Sequence, residues 1–435
     1  GTMKCIKDEI PFEVPEGWSW CRLPSITIDI FAGGDKPDSY EKNPTEICNI
    51  PIYSNGIDNN GLYGFTNKPR VIEPSITISA RGTIGFCCIR ETPFVPIVRL
   101  ITITPSREFE LSYLKTVFEA LIETGEGSSI PQLTVPGIKP KLIPVPPVNE
   151  QTRIQNKLHE ILNSIAVISR EKEELRKLLQ TIQSKILDLA IRGKLVPQNP
   201  DDEPASVLLE RIRVEKEELI KQGKIKRDKK ESVIFKGEDN SYYEKLPDGK
   251  VNCIDEQLPF ELPDGWKWCN LSMVGTTNIG LTYRPADIDT QGIIVLRSCN
   301  IVKDEINLTD LVRVKTSIRE NQFVQKDDIL ICARNGSRSL VGKCTLIPEF
   351  DEKVSFGAFM AVYRTPYFNY IVHFLRSNFF RSVFDDSNST AINQLTQDML
   401  KRAVIPLPPL AEQLRIVDKI TELFERLNCI EESLI

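Results

Sequence analysis

Histidine is nearly absent, with His159 and His373 the only two in 435 residues. The 11 cysteines are scattered and form no CxxC pair, so the ligand spacing of a structural zinc site is missing. An odd number of thiols with no recognisable leader sequence points to a reducing, cytoplasmic setting. Long apolar runs are missing too. The longest, residues 354–363 with its serine and glycine included, has ten residues and is too short to cross a bilayer, so no membrane partner is expected. Neither sign of charge dominates: 60 Asp and Glu against 55 Lys and Arg give a net charge of −5. That balance excludes a protein that coats nucleic acid by bulk positive charge, while leaving room for a local basic face. Phosphate-cradling glycine loops are lacking, with no Walker motif and no GxGxxG after a strand. An amino-methyltransferase needs an Asn/Asp-Pro-Pro-aromatic tetrapeptide, which PVPPV (144–148) and PLPPL (406–410) do not supply. A nuclease core needs Pro-Asp followed by an acid-x-lysine triplet. Pro263-Asp264 and Asp351-Glu352-Lys353 fit that pattern, but so short a match arises by chance in most chains of this length.

What the chain does contain is an internal repeat. KCIKDEIPFEVPEGWSWCRL (4–23) recurs as NCIDEQLPFELPDGWKWCNL (252–271), an offset of 248. IPQLTVPGIKPKLIPVPPVNEQTRI (130–154) recurs as INQLTQDMLKRAVIPLPPLAEQLRI (392–416), an offset of 262. Two blocks in the same order mean one duplicated module. Between the blocks the copies diverge. Residues 75–89 and 328–347 each read as a β-hairpin, the second with a longer Asn-Gly-containing turn. A short apolar helix follows in each copy (111–123 and 370–384), then a polar loop (125–129 and 385–390). Each module is α+β, with a frame alike in both copies and strands and loops that differ.

After the first module the pattern changes in kind. From Glu150 to Arg192 apolar residues recur at strict 4-3 spacing: Ile154, Leu158, Ile161, Ile165, Ile168, Leu175, Leu179, Ile182, Ile186 and Leu189, with Lys172 interrupting the seam. Gly193 supplies the stop, giving a helix of roughly 60–65 Å. The second copy repeats the register at Ile416, Ile420, Leu423, Leu427, Ile430 and Leu434. A seam this long exceeds what a 150-residue module can bury, so the two seam helices are expected to pair antiparallel. Residues 205–223 read as a second, charged helix, and 225–251 as a polar linker whose basic start (221–230) is a solvated helix end.

These features together resemble the specificity subunit of type I restriction–modification systems. The carriers are PFEVPEGWSWC (11–21) and PFELPDGWKWC (259–269), the two PxPPxxEQxRI runs (144–154 and 406–416), and AIRGKLVPQNPDDEPASVLLERI (190–212). The resemblance implies an α+β fold class: two duplicated α/β target recognition domains separated by long antiparallel coiled-coil helices. It divides the chain into recognition domain 1 (3–145), a central conserved region (146–224), a linker (225–251), recognition domain 2 (252–405) and a distal conserved helix (406–435), shorter than the first. It implies a non-catalytic DNA-binding subunit of a phage-defence restriction system. Each domain would read one half of a bipartite double-stranded target, and the helices would set the spacing and dock methyltransferase (M) subunits. A motor-nuclease (R) subunit would be the further partner. No cofactor would be bound by this chain; S-adenosylmethionine, ATP and Mg would sit on the partners. The alternative from another class is a coiled-coil adaptor joining two protein-binding modules without DNA contact, and a divergent nuclease ranks third.

Candidate base contacts lie on the divergent loops. Arg334, Asn335, Ser337, Arg338 and Lys343 cluster on the second hairpin turn, and Arg81 and Thr83 on the shorter first one. Arginine can donate a bidentate pair to guanine, and asparagine can match adenine. A second pair of loops adds Tyr53 and Asn55 in copy one, and Arg297 and Asn300 in copy two. Trp18, Trp20, Trp266 and Trp268 are expected in the module bases rather than in base stacking. Gln132 and Gln394 are shared by both copies, so a structural role is favoured for them. His159 falls on the seam helix as a surface or interhelical residue.

Overall fold

Each Pro-rich block closes its module by pairing with that module's own tryptophan block. Ser19–Arg22 runs antiparallel to Leu142–Val145 with Trp20 opposite Pro144, and Lys267–Asn270 runs antiparallel to Val404–Leu407 with Trp268 opposite Pro406. A buried tyrosine locks each pair: Tyr113 Oη donates to the Pro144 carbonyl at 2.7 Å and Tyr370 Oη to that of Pro406 at 2.8 Å. The structure is a computed structural model. It describes residues 6–122, 125–126, 132–223, 231–385 and 394–434, and the chain divides into two units, residues 1–170 and 171–435.

The repeat extends further than the sequence indicates, because the strands between the blocks share one topology. In the first unit a four-stranded antiparallel sheet has the order Thr27–Ala32, Ile101–Pro105, Ser75–Ile78, Cys87–Arg90. In the second the order is Thr276–Ile279, Met360–Arg364, Ile329–Cys332, Cys344–Leu346. A three-stranded sheet accompanies each. Ile50–Tyr53 has antiparallel Leu62–Thr66 on one side and parallel Val95–Pro96 on the other. Ile288–Leu296 has antiparallel Val312–Val314 and parallel Val354–Phe356. Strands that were expected to differ are therefore equivalent, and the divergence lies in the connections. Both expected hairpins form, with every residue of Ser75–Ile78 and Ile329–Cys332 buried; the second is apolar throughout, whereas the first also buries Ser75, whose hydroxyl lies 2.8 Å from that of Thr104, and Thr77.

Helix Leu111–Leu121 lays Leu114 and Phe118 over Ile76, Ile78, Ile101 and Ile103. Its counterpart is not one helix but two, Phe368–Arg376 and Asn378–Asp385. The break falls at Ser377, whose Oγ donates to the Phe374 carbonyl and accepts from Phe380 N, replacing the helical ladder locally. The first polar loop is partly strand: Gly125–Glu126 pairs with Thr83–Ile84. Residues 386–390 of the second lie outside the described residues. The two shared Thr residues of the QLT blocks are helix caps. Thr134 Oγ1 accepts from Gly137 N at 3.2 Å and Thr396 Oγ1 from Met399 N at 3.1 Å. Thr396→Ala is expected to cost about 1 kcal/mol, measured as a lower urea midpoint at unchanged slope.

The seam helix spans Val148–Ile191, 44 residues. Gly193 ends it at φ 66°, with its N–H on the Ala190 carbonyl and that of Lys194 on Leu189, the hydrogen-bond pair of a Schellman cap. Burial along the seam is uneven. Ile154 packs on the first module's core, and Leu158 is half-buried. Ile161, Ile165 and Ile168 are 45, 54 and 63% exposed. Leu175 is half-buried and Ile182 exposed, whereas Leu179 and Ile186 are buried in one core with Ile416, Ile420 and Leu427. Leu423 packs against that core, and Ile430 is 44% exposed.

The segment after Gly193 docks on the start of the terminal helix, Leu410–Glu432, through Glu412. Gln198 Nε2 donates to Glu412 Oε1 at 2.7 Å and Trp266 Nε1 to Oε2 at 2.9 Å. Burial pushes the Glu412 carboxyl above its ordinary range, while those two donors and Arg415 oppose the rise. Arg415 in turn binds Asp202, with Nη1 donating to Oδ1 at 3.2 Å. By the repeat offset the first module's equivalents are Trp18 and Glu150, yet the Trp18 Nε1 is buried with no partner. The charged helix forms over Ala205–Lys221. The expected linker is corrected: beyond residues 224–230, which are not described, it folds as an antiparallel meander, Val233–Lys236, Tyr242–Lys245 and Val251–Cys253. Asn270 of the second module ties it down, donating to Ser232 Oγ at 2.6 Å.

Candidate nucleic-acid interface

In each module the two loops carrying the candidate contacts converge beside the hairpin turn. Asn335 Nδ2 donates to Ser298 Oγ at 3.2 Å, joining the second hairpin turn to the 297–300 loop. In the first module Asn55 Oδ1 accepts from Ala80 N at 2.7 Å, joining the 53–61 loop to the hairpin. The QLT block closes the same corner, since Leu133 N donates to the Ala80 carbonyl and Leu395 N to that of Ala333. These bonds make Arg81 and Arg334 equivalent positions. Each meets its module's glutamine: Arg81 Nη2 donates to Gln132 Oε1 at 3.1 Å, and Arg334 forms an isolated antiparallel bridge with Gln394.

The candidates separate by what holds them. Arg81 and Arg334 are exposed, with the Arg334 guanidinium 5.5 Å from the centre of the Phe359 ring. Ser337 and Arg338 are exposed on the same turn, Ser337 Oγ lying 2.9 Å from Ser339 Oγ. Asn335 is half-buried, and its Oδ1 accepts from Ser337 N, which shapes the turn. Thr83 is half-buried with its hydroxyl inside.

Several candidates are held by bonds within the module. Asn300 is fully buried, and its amide closes the loop by donating to the Asn307 and Asp310 carbonyls and accepting from Arg297 N. No base edge can reach it, so its assignment as a contact is corrected. Arg297 Nη2 donates to Asp310 Oδ2 at 2.8 Å. The Lys343 ammonium is held by the Ile301 carbonyl. Asn55 bridges Ala80 N and the Val98 carbonyl, occupying both ends of its amide. Tyr53 lies under the Arg90 guanidinium, 3.5 Å from ring centre to Cζ, and that arginine is itself tied to Thr77 and to the Asn60 carbonyl. Trp266 and Trp268 are buried in the module base as expected, while Trp18 and Trp20 are half-buried.

Two tip residues escaped the sequence reading. Ile97 N and Leu100 N donate to the Tyr53 and Ile97 carbonyls, as Gly357 N and Met360 N do to those of Leu296 and Gly357. Arg99 and Phe359 are therefore equivalent, each in the turn before its central strand, and Phe359 is 61% exposed. Phe359 sits in the longest apolar run of the chain, which reads as core; its exposure has no signal in composition or spacing.

Other chemistry finds little support among the described residues. Burial raises the thiols of Cys87 and Cys269 to about 12 and that of Cys344 to about 11, far from a nucleophilic thiolate. Glu352 of the acidic triplet pairs with Arg313 through two bonds of 2.8 Å. No group of three or more His, Cys, Asp or Glu is placed to hold a metal ion among the described residues. No helix of the described residues is long and apolar enough to cross a membrane.

Comparison with known proteins agrees with this duplicated architecture. The family model for the type I restriction modification DNA specificity domain matches residues 15–177 and again 265–435. The chain is 26% identical to the type I restriction enzyme EcoAI specificity subunit of Escherichia coli, over 97% of this chain and 80% of that one. It is 32% identical to the StySPI specificity subunit of Salmonella potsdam, over 40% of this chain and 39% of the relative. Its fold resembles the crystal structure of the HsdS subunit from Thermoanaerobacter tengcongensis, with a TM-score of 0.56 at 15% identity, covering 98% of this chain and 94% of that one. A chain from structural work on complex assembly and conformational transition of the type I R-M system gives a TM-score of 0.58 at 16% identity and the same coverage. With two matches to one domain model and a fold shared across nearly its whole length, the chain belongs to the specificity subunits of type I restriction–modification systems.

Proposed function

We propose that this chain chooses the DNA sequence on which a type I complex acts, each module reading one half of a bipartite double-stranded target. The observation that carries the reading is a shared frame with unlike tips. The strand order repeats, but the exposed tip residues change, with Arg81 and Arg99 in one copy and Arg334, Ser337, Arg338 and Phe359 in the other. A repeated frame supports the same task in both modules, and changed tips support different half-sites. The seam helices set the spacing between the half-sites as an antiparallel coiled coil. The exposed stripe Ile161, Leu162, Ile165 and Ile168 supports a role as a docking face for methyltransferase subunits.

On this reading the chain recognises and does not catalyse. Methylation with S-adenosylmethionine belongs to the M subunits, and ATP- and Mg-dependent cleavage to an R subunit. A charge of −5 suits a subunit whose partners supply much of the phosphate grip. The test is selection of a randomised duplex library by the chain reconstituted with its M subunits. A bipartite consensus is expected, and recovery of unselected DNA would sink the proposal. Arg334→Ala should then weaken one half-site only, by about 1–3 kcal/mol. Equal weakening on every sequence would assign Arg334 to phosphate instead.

A further inference from the structure

We infer that the turn before the central strand is the position that distinguishes the two reading heads, and that Phe359 reads a thymine by apolar contact with its 5-methyl group. The inference rests on the DNA-reading role proposed above. Phe359 is 61% exposed, yet its backbone is fixed, because its carbonyl accepts from both Ala333 N at 2.9 Å and Arg334 N at 3.0 Å. The backbone that carries the ring is thus pinned to the hairpin turn, and the Arg334 guanidinium stands over the ring at 5.5 Å. An aromatic ring held out into water beside a cation is a surface in want of a flat or apolar partner. In the major groove the only apolar group on a base edge is the thymine methyl, and an adjacent arginine matches guanine.

The first module builds the same corner differently. There Asn55 stands between the turn and the hairpin, donating from Nδ2 to the Val98 carbonyl at 2.7 Å and accepting at Oδ1 from Ala80 N at 2.7 Å. An amide therefore replaces the direct backbone bonds of the second copy. The turn it props open holds Val98 and Arg99 at φ 51° and 59°, a conformation rarely adopted by β-branched or long side chains. Backbone of this kind concentrates where a side chain must be presented in a fixed direction. What it presents is an exposed arginine where the second copy presents phenylalanine. The two half-sites should accordingly differ at this position, with hydrogen-bond readout in the first and methyl readout in the second.

The experiment uses the chain assembled with its M subunits and the bipartite site recovered by library selection. Each thymine of the second half-site is replaced in turn by deoxyuridine, which removes only the methyl group. One such replacement is expected to weaken wild-type binding on the order of fourfold, the worth of one buried methyl. Phe359→Ala should bind the unmodified site with a similar loss and be indifferent to the same replacement. Recognition of the first half-site should not change. Thermal melting shows that the exposed substitution leaves the fold intact, and Phe359→Leu, which keeps apolar contact, should retain part of the methyl sensitivity. The inference is overturned if wild type tolerates every deoxyuridine, or if Phe359→Ala keeps the wild-type sensitivity. It is equally overturned if Phe359→Ala impairs subunit assembly while leaving base preference alone. Any of these outcomes leaves a bipartite consensus standing, whereas loss of all sequence preference in the wild-type complex would strike the DNA-reading role itself.

Discussion

Trp266→Ala is expected to destabilise the second unit by about 3–5 kcal/mol, the range for emptying a buried tryptophan site. Trp266 is 3% exposed and packs so closely on Gly193 that a Cβ there would lie 3.1 Å from its ring and 2.4 Å from Pro263. Removing the indole opens a cavity between the module base and the turn that ends the seam helix. It also takes one of two side-chain donors from Glu412, leaving Gln198 alone on a carboxyl already strained by burial. Trp266→Phe separates these effects, because it keeps most of the volume and loses the N–H, at a cost of about 1–3 kcal/mol. Trp18→Ala supplies the contrast. Its indole is half-buried with an unpartnered Nε1, so its loss should cost clearly less. Urea unfolding followed separately for each unit measures all three. Equal losses at Trp18 and Trp266 would mean that the Glu412 contacts contribute nothing.

The second large effect is on acid stability. His373, on helix Phe368–Arg376, has its pKa lowered to about 3, chiefly by burial and secondly by the Arg376 guanidinium. Its Nδ1 is buried without a partner, and its ring meets Phe424 edge-on at 6.3 Å. In the unfolded chain histidine titrates near 6.5. The folded value is the lower one, so the unfolded state takes up the proton first. Stability is therefore complete above about pH 6.5 and declines as the pH falls toward 3, by up to about 1.4 kcal/mol per unit. The side chain keeps some contact with water, so the full loss attributable to it is set at about 2–4 kcal/mol. His373→Leu removes this slope and retains the slopes of the carboxylates. The wild-type and variant stabilities should run parallel above pH 6.5 and diverge below it. Parallel curves down to pH 4 would show that the imidazole is not the cause.

What the sequence made legible was what depends on local period and on repetition. The 4-3 spacing gave the helix Val148–Ile191 almost to the residue, and Gly193 its end, because both follow from backbone geometry near at hand. The hairpins over 75–90 and 329–346 followed from β-branched runs around a turn. The common strand order did not follow, since topology resides in pairings over long separations and the intervening residues have diverged. The meander after residue 232 escaped for a different reason. Its first strand, Val233–Lys236, is apolar in three of four residues yet mostly exposed, and is too short to show an alternation that would reveal it. At the tips, polarity pointed to the right loops but could not tell a side chain facing solvent from one tied to the backbone. Asn300 and Arg334 look alike in sequence, yet one is fully buried in its own loop and the other stands over an exposed ring.

The closing strand pairs carry a consequence for how such a protein can change. Ser19 lies opposite Val145, and Lys267 opposite Leu407, so the chain enters and leaves each module through neighbouring strands, roughly 5 Å apart. Whatever is threaded between them is held like a cassette in a socket. The two copies already differ by 14 residues between their matched blocks without altering that socket, and the cost of closing a longer loop rises only slowly with its length. On the reading proposed above, exchanging the interior would change the sequence a module prefers in a single step, with the flanking strands and the helices that follow them left as they were.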